Sequence, residues 1–220
     1  MTRNDFIKTA ALAGAAGLAM PKFSFGAAKG SDKIKIAIVG CGGRGTGALK
    51  NMISADKNIE IVAAGDLYSE RIAACAESVK KFAKGAGLNP EEIWKVSPDT
   101  SFTGLDAIDK VLQTDADVVA LVTPPVFRTS HIEKALNANK HVFAEKPICI
   151  DCVQLRKIYD ELIPLADKKG LNVLCGTQMR YQTAIKEAVD RVRDGQIGDI
   201  TSVVCLRYEA TYLTGWYEVP

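Results

Sequence analysis

From Lys33 onward the chain alternates short aliphatic runs with stretches in which apolar residues recur at helical spacing. Ile34 to Val39 is a continuous aliphatic run closed by glycine, and Ile59 to Ala64 is a second one ending at Gly65-Asp66. Both predict strands buried on two faces, with a helix over Thr46 to Ser54 between them. A helix over Ser69 to Lys84 follows, with Ser69 placed to cap it and Ile72, Cys75, Ala76, Val79 and Phe82 on one face. Gly85 to Thr103 carries Gly, Asn, Pro and Ser and predicts a long irregular connection hiding a short strand near Ile93 to Val96.

The alternation then resumes. The pattern predicts helices over Leu105 to Gln113, Thr129 to Ala138 and Asp151 to Lys169, and strands over Asp117 to Val122, Lys140 to Ala144 and Asn172 to Cys175. Parallel strands joined by helices imply an α/β doubly wound sheet, a dinucleotide-binding Rossmann domain, here given the bounds 32–178. A helix over Thr183 to Arg193 and a strand over Ile200 to Tyr208 then open a second α+β domain, 179–220, expected to be incomplete.

Composition narrows the partners. The chain has 220 residues, 47% hydrophobic and 25% charged, with a formal net charge of +2. That is an ordinary globular balance without the clustered cations of a nucleic-acid footprint, and nucleic acid is not an expected partner. Residues 1–31 differ from the rest: Thr2 to Lys8 is polar and basic, Thr9 to Met20 is small and apolar, and Ser24 to Ala28 offers small residues at peptidase spacing. This is the layout of an export signal and linker, giving an exported or periplasmic expectation with a cytoplasmic protein as the alternative. The apolar run of about a dozen residues is too short to span a bilayer as a helix, so no stable membrane anchor is expected. The basic stretch resembles the twin-arginine export pattern, with Asn4 in place of the second arginine.

The loop Gly40-Cys41-Gly42-Gly43-Arg44-Gly45 has the G-x-G-x-x-G spacing, follows a strand, opens a helix and has Asp66 at the end of the next strand. In that context Gly40 permits the tight turn, Gly42 lets the backbone approach a pyrophosphate, and Gly45 lets the helix pack close to the strand. The helix start, with Gly43 and Arg44, offers N–H groups to phosphate. Asp66 is placed to accept the adenosine ribose hydroxyls, which favours NAD over NADP, while Arg71 nearby moderates that preference. Thr123 and Pro124, at the carboxyl end of a strand, are expected to line the same crevice. No metal site is expected.

Thr123-Pro124-Pro125, the run Lys140 to Pro147 with its Glu145-Lys146-Pro147 triplet, and Gly176 to Tyr181 resemble the glucose-fructose oxidoreductase and inositol dehydrogenase family, Gfo/Idh/MocA. The resemblance covers roughly Lys33 to Ile200. It implies that Lys146 hydrogen-bonds the substrate hydroxyl that becomes a carbonyl, its proton affinity lowered by burial and by the oxidised nicotinamide beside it. It also implies that Glu145 sits near the nicotinamide ribose, that Arg180 and Tyr181 face nicotinamide and substrate, and that the partner acid and base come from a second domain. Copies would associate through the sheet of that domain. Arg128 departs from the histidine that many relatives carry in this region, and His131 is expected to be packed and inert.

The implied activity is NAD-dependent oxidation of a secondary hydroxyl of a sugar, inositol or related polyol. Two alternatives stay open: an exported NAD-dependent glycoside hydrolase acting by transient C3 oxidation and elimination, and a non-catalytic dinucleotide-binding module. Six cysteines are too dispersed for a disulfide scaffold, and most are expected in the core. Cys149 and Cys152 are spaced C-x-x-C at a helix start, an arrangement that lowers thiol pKa values, though small packing residues are the expected reading.

Overall fold

The computed structural model describes residues 33–206. The expected export segment lies outside them. Six strands, β1 (Ile34–Val39), β2 (Ile59–Asp66), β3 (Ser101–Thr103), β4 (Val118–Leu121), β5 (His141–Glu145) and β6 (Val173–Gly176), form one sheet in the order β3-β2-β1-β4-β5-β6. Every pairing is parallel. The strand order reverses direction at β1, so the two halves of the sheet diverge between β1 and β4, where α/β folds hold ligands.

Alternation along the strands divides the core into two layers. Ile36 and Ile38 of β1, with Ile61, Ala64 and Ala120, face α1 (Gly43–Ala55), α2 (Ser69–Gly85) and α3 (Pro90–Ile93). Ala37 and Val39, with Val119, Leu121, Val142 and Ala144, face α4 (Ala107–Val111), α5 (Arg128–Asn137) and the helical stretch after β5. Because successive strand residues point to opposite faces, one uninterrupted aliphatic run serves both layers. On α2 the buried positions are Ile72, Cys75, Val79 and Ala83, while Ala76 and Phe82 of the expected face are half-buried.

Several expectations are corrected. The short strand expected near Ile93 to Val96 is displaced: Pro90 and the Asn89 cap, which accepts from Glu91 N at 3.1 Å, turn that stretch into α3. Only a single bridge from Trp94 to Ile61 remains, and the third strand forms at Ser101–Thr103. The helix over 105–113 shortens to Ala107–Val111. The helix over 151–169 is broken into α6 (Cys152–Lys157), a π-helical turn (Ile158–Leu162) and α7 (Ile163–Lys169). Pro164 has no N–H and its ring crowds the preceding turn, which is a sufficient cause for the wider turn before it.

The chain divides into two units after Gly176. The described part of the second comprises a 3-10 turn (Gln178–Tyr181) and α8 (Thr183–Arg193). The strand expected over Ile200 to Tyr208 is absent where it can be described: residues 201–206 have no regular structure and are exposed. A strand needs a neighbour for its N–H and C=O groups, and no described segment pairs with this one. Its last two residues lie outside the described range.

Candidate functional site

The glycine loop joins β1 to α1. Gly40 has φ +102°, and a Cβ there would stand 2.6 Å from the Val122 carbonyl carbon and 2.8 Å from Thr123 N. Only glycine allows this turn to lie against the end of β4. A Cβ on Gly45 would fall 1.9 Å from Gly40 O, so α1 starts in direct backbone contact with the turn. Gly42 and Gly43 have nothing within 4 Å of their Cβ positions.

The first α1 hydrogen bond runs from Thr46 N to Gly42 O at 2.9 Å, which leaves the N–H groups of Gly43, Arg44 and Gly45 outside the helical ladder. No acidic residue occupies the first turn. An open backbone cradle at a positive helix end, free of competing carboxylates within that turn, fits a pyrophosphate.

Asp66 ends β2 on one side of this cradle and is 7% exposed. Its Oδ2 accepts from Cys41 N at 2.7 Å and its Oδ1 from Tyr68 N at 3.2 Å. The carboxylate therefore shapes the loop and retains lone pairs for further donors. Cys41 lies beneath. Its thiol is pushed up well beyond the ordinary range by its hydrogen bond with Cys75 and by burial, so it serves as a packed thiol. Arg71 is exposed with its guanidinium 5.1 Å from the centre of the Tyr68 ring.

On the other side, Glu145 ends β5 and is 4% exposed. Its Oε1 accepts from Arg44 Nε at 2.8 Å and also from Arg44 Nη2, while Oε2 accepts from Lys146 N at 3.1 Å. This ion pair joins the glycine loop to β5 across the end of β4, the strand that lies between β1 and β5. Lys146 follows on an exposed turn, where the sheet no longer covers it.

Thr123 and Pro124 leave β4 between these two walls. Thr123 Oγ1 lies 3.3 Å from His131 Nδ1, and Thr123 O accepts from Arg128 Nη2 at 2.5 Å. His131 is pushed down to about 4, first by burial and then by the charges of Lys134 and Arg128. It is therefore neutral near pH 7, with Thr123 Oγ1 within hydrogen-bond distance of its ring.

Sequence reasoning missed the Arg44–Glu145 bridge and the Arg128 and His131 contacts to Thr123. The available signal was a pair of polar residues at i and i+3 on the buried stripe of α5. Arg180 and Tyr181 belong to the second unit, where both are exposed on its 3-10 turn. Cys149 and Cys152 are free thiols, and α6 is capped by Asp151, which accepts from Gln154 N at 2.7 Å.

A family model described as "Oxidoreductase family, NAD-binding Rossmann fold", Gfo/Idh/MocA, matches residues 34–177. The chain belongs to this family. Among its relatives, inositol 2-dehydrogenase of Salmonella typhimurium is 24% identical over 179 residues, which is 81% of this chain and 47% of that protein. A glycosyl hydrolase family 109 protein of Solibacter usitatus is 30% identical over 152 residues, 66% of this chain and 33% of the relative. The solved scyllo-inositol dehydrogenase of Lactobacillus casei, with bound NAD(H) and scyllo-inositol, superposes with a TM-score of 0.58 at 28% identity. That match covers 77% of this chain and 44% of the other. The chain thus spans less than half the length of these Gfo/Idh/MocA relatives.

Proposed function

We propose that this Gfo/Idh/MocA chain carries the nucleotide half of an NAD-dependent oxidoreductase that moves hydride between nicotinamide and a secondary hydroxyl of a sugar, inositol or related polyol. The observation that carries the reading is the open Gly42-Gly43 cradle at the head of the sheet, with Asp66 on its β2 side and Glu145-Lys146 on its β5 side. A bound dinucleotide would supply the hydride acceptor. The α1 N–H groups would hold its pyrophosphate, Asp66 the adenosine ribose, and Glu145 the second ribose. Lys146, exposed beyond β5, would hold the substrate hydroxyl and take its proton as hydride leaves the carbon, so that alcohol becomes carbonyl.

Arg180 and Tyr181 are proposed for substrate contact, and assembly of copies through a C-terminal sheet belongs to the same reading. Residues 1–31 are proposed as an export signal, placing the protein outside the cytoplasm. The test is NADH formation by the purified full-length protein on a panel of inositols and sugars. NADH binding without turnover of any polyol or glycoside would leave only a dinucleotide-binding module.

The likeness to the family 109 glycosyl hydrolase favours a second reading, glycoside cleavage through transient oxidation at C3. Release of free aglycone from a glycoside with no net NADH would select it over simple dehydrogenation.

A further inference from the structure

Arg128 is the largest of the fully buried side chains among the described residues, a residue 2% exposed with no carboxylate in direct contact. Its Nη1 donates to Leu121 O and its Nη2 to Thr123 O at 2.5 Å. Its Nε is the one buried side-chain nitrogen or oxygen among the described residues without a hydrogen-bond partner. Burying a charge in this way is costly, and general packing does not require it. Both acceptors lie where β4 leaves the sheet: Val122 N still reaches Val39 O at 2.8 Å, whereas the carbonyls on either side turn toward α5.

Burial lowers the proton affinity of the guanidinium, and the charge of Glu145 opposes that effect. The guanidinium thus holds the exit of β4 through two carbonyls.

We propose that Arg128 is a positioning residue for the nicotinamide half of the dinucleotide crevice, holding Thr123-Pro124 at the end of β4. This rests on the dinucleotide reading above. Asp66 lies at the end of β2 and would act on adenosine, and the α1 N-terminus at the head of β1 would act on pyrophosphate. Arg128 touches neither of them and acts on the opposite side of β1. Its removal should then be felt by a whole dinucleotide and not by its adenosine diphosphate half.

The experiment uses the full-length protein with Arg128→Met and Arg128→Lys. NADH affinity is read from its fluorescence on binding, ADP affinity from displacement of NADH, and folding from circular dichroism. Arg128→Met should weaken NADH by about tenfold or more, the scale of hydrogen bonds to a charged group, while ADP changes by less than about twofold. Arg128→Lys, which keeps the charge but not the fork, should fall between Arg128→Met and wild type. If Arg128→Met does not fold, Arg128→Lys decides, with NADH weakened more than ADP as the supporting result.

Unchanged NADH affinity in a folded variant overturns the proposal. So does an equal loss of NADH and ADP, which would mark Arg128 as general scaffold. Failure of the wild-type protein to bind NADH would instead remove the dinucleotide reading itself.

Discussion

Asp66 combines an observed contact to the glycine loop with a proposed contact to ribose, and the two can be separated by substitution. Asp66→Ala removes the acceptor for the buried Cys41 N–H as well as the proposed ribose contact. It should cost about 1–3 kcal/mol in stability and weaken NAD more than NADP. Urea unfolding and dinucleotide titration read the two effects, and equal loss of both cofactors would discard the ribose assignment. Lys146→Met should keep NADH affinity within about threefold and lower turnover of the full-length enzyme by roughly a hundredfold or more, the range of a lost acid–base group.

His131 gives a pH prediction with a definite sign. Its folded value of about 4 lies below the ordinary 6.5, so the unfolded chain binds the proton more readily. The stability this contributes is present above about pH 6.5 and is lost as pH falls through about 4. Unfolding free energy should drop less steeply over that window in His131→Gln, measured by denaturant titration. The positions of Asp66 and Glu145 were legible because each closes a strand within a local motif, with Lys146 directly after. The Arg44–Glu145 bridge was not, since its partners are 101 residues apart and only the sheet order brings them together.

Among elements, the strands and long helices follow from periodicity because each buries a continuous run or stripe. Expectations failed where local chemistry competes with periodicity. Asn89-Pro90 starts a short helix in a stretch whose Ile93, Trp94 and Val96 suggest a strand, and the true third strand, Ser101–Thr103, is too short to show alternation. The 151–169 helix is continuous in pattern, yet Pro164 makes one turn wider.

The joint between β1 and α1 is the tightest of these elements. Gly45→Ala places a methyl 1.9 Å from a backbone oxygen that cannot swing aside. It should cost about 2 kcal/mol or more and weaken NADH by tilting the N–H groups of the α1 start, as urea unfolding and NADH titration would show.

At the scale of the whole molecule, the nucleotide unit ends at Gly176, and the relatives it matches extend well beyond that length. If residues 1–31 act as an export signal, protein recovered from the producing cell should lack ~28 residues by intact mass. A full-length mass with intracellular location would remove that proposal. Second-domain structure was the least legible part, because a strand such as the one expected from Ile200 is defined by neighbours and not by its own residues.

The central position of β1 also bears on how the protein is made. Gly40 is shaped by the backbone of Val122, and Arg44 is tied by Glu145, so the loop near the start of the domain takes its working form from chain synthesized much later. A nascent polypeptide halted before residue 145 would expose the glycine loop with one wall of its crevice missing. Capture of dinucleotide should therefore come late on the ribosome, after β5 has emerged, and the ligand should then help lock the finished sheet by mass action.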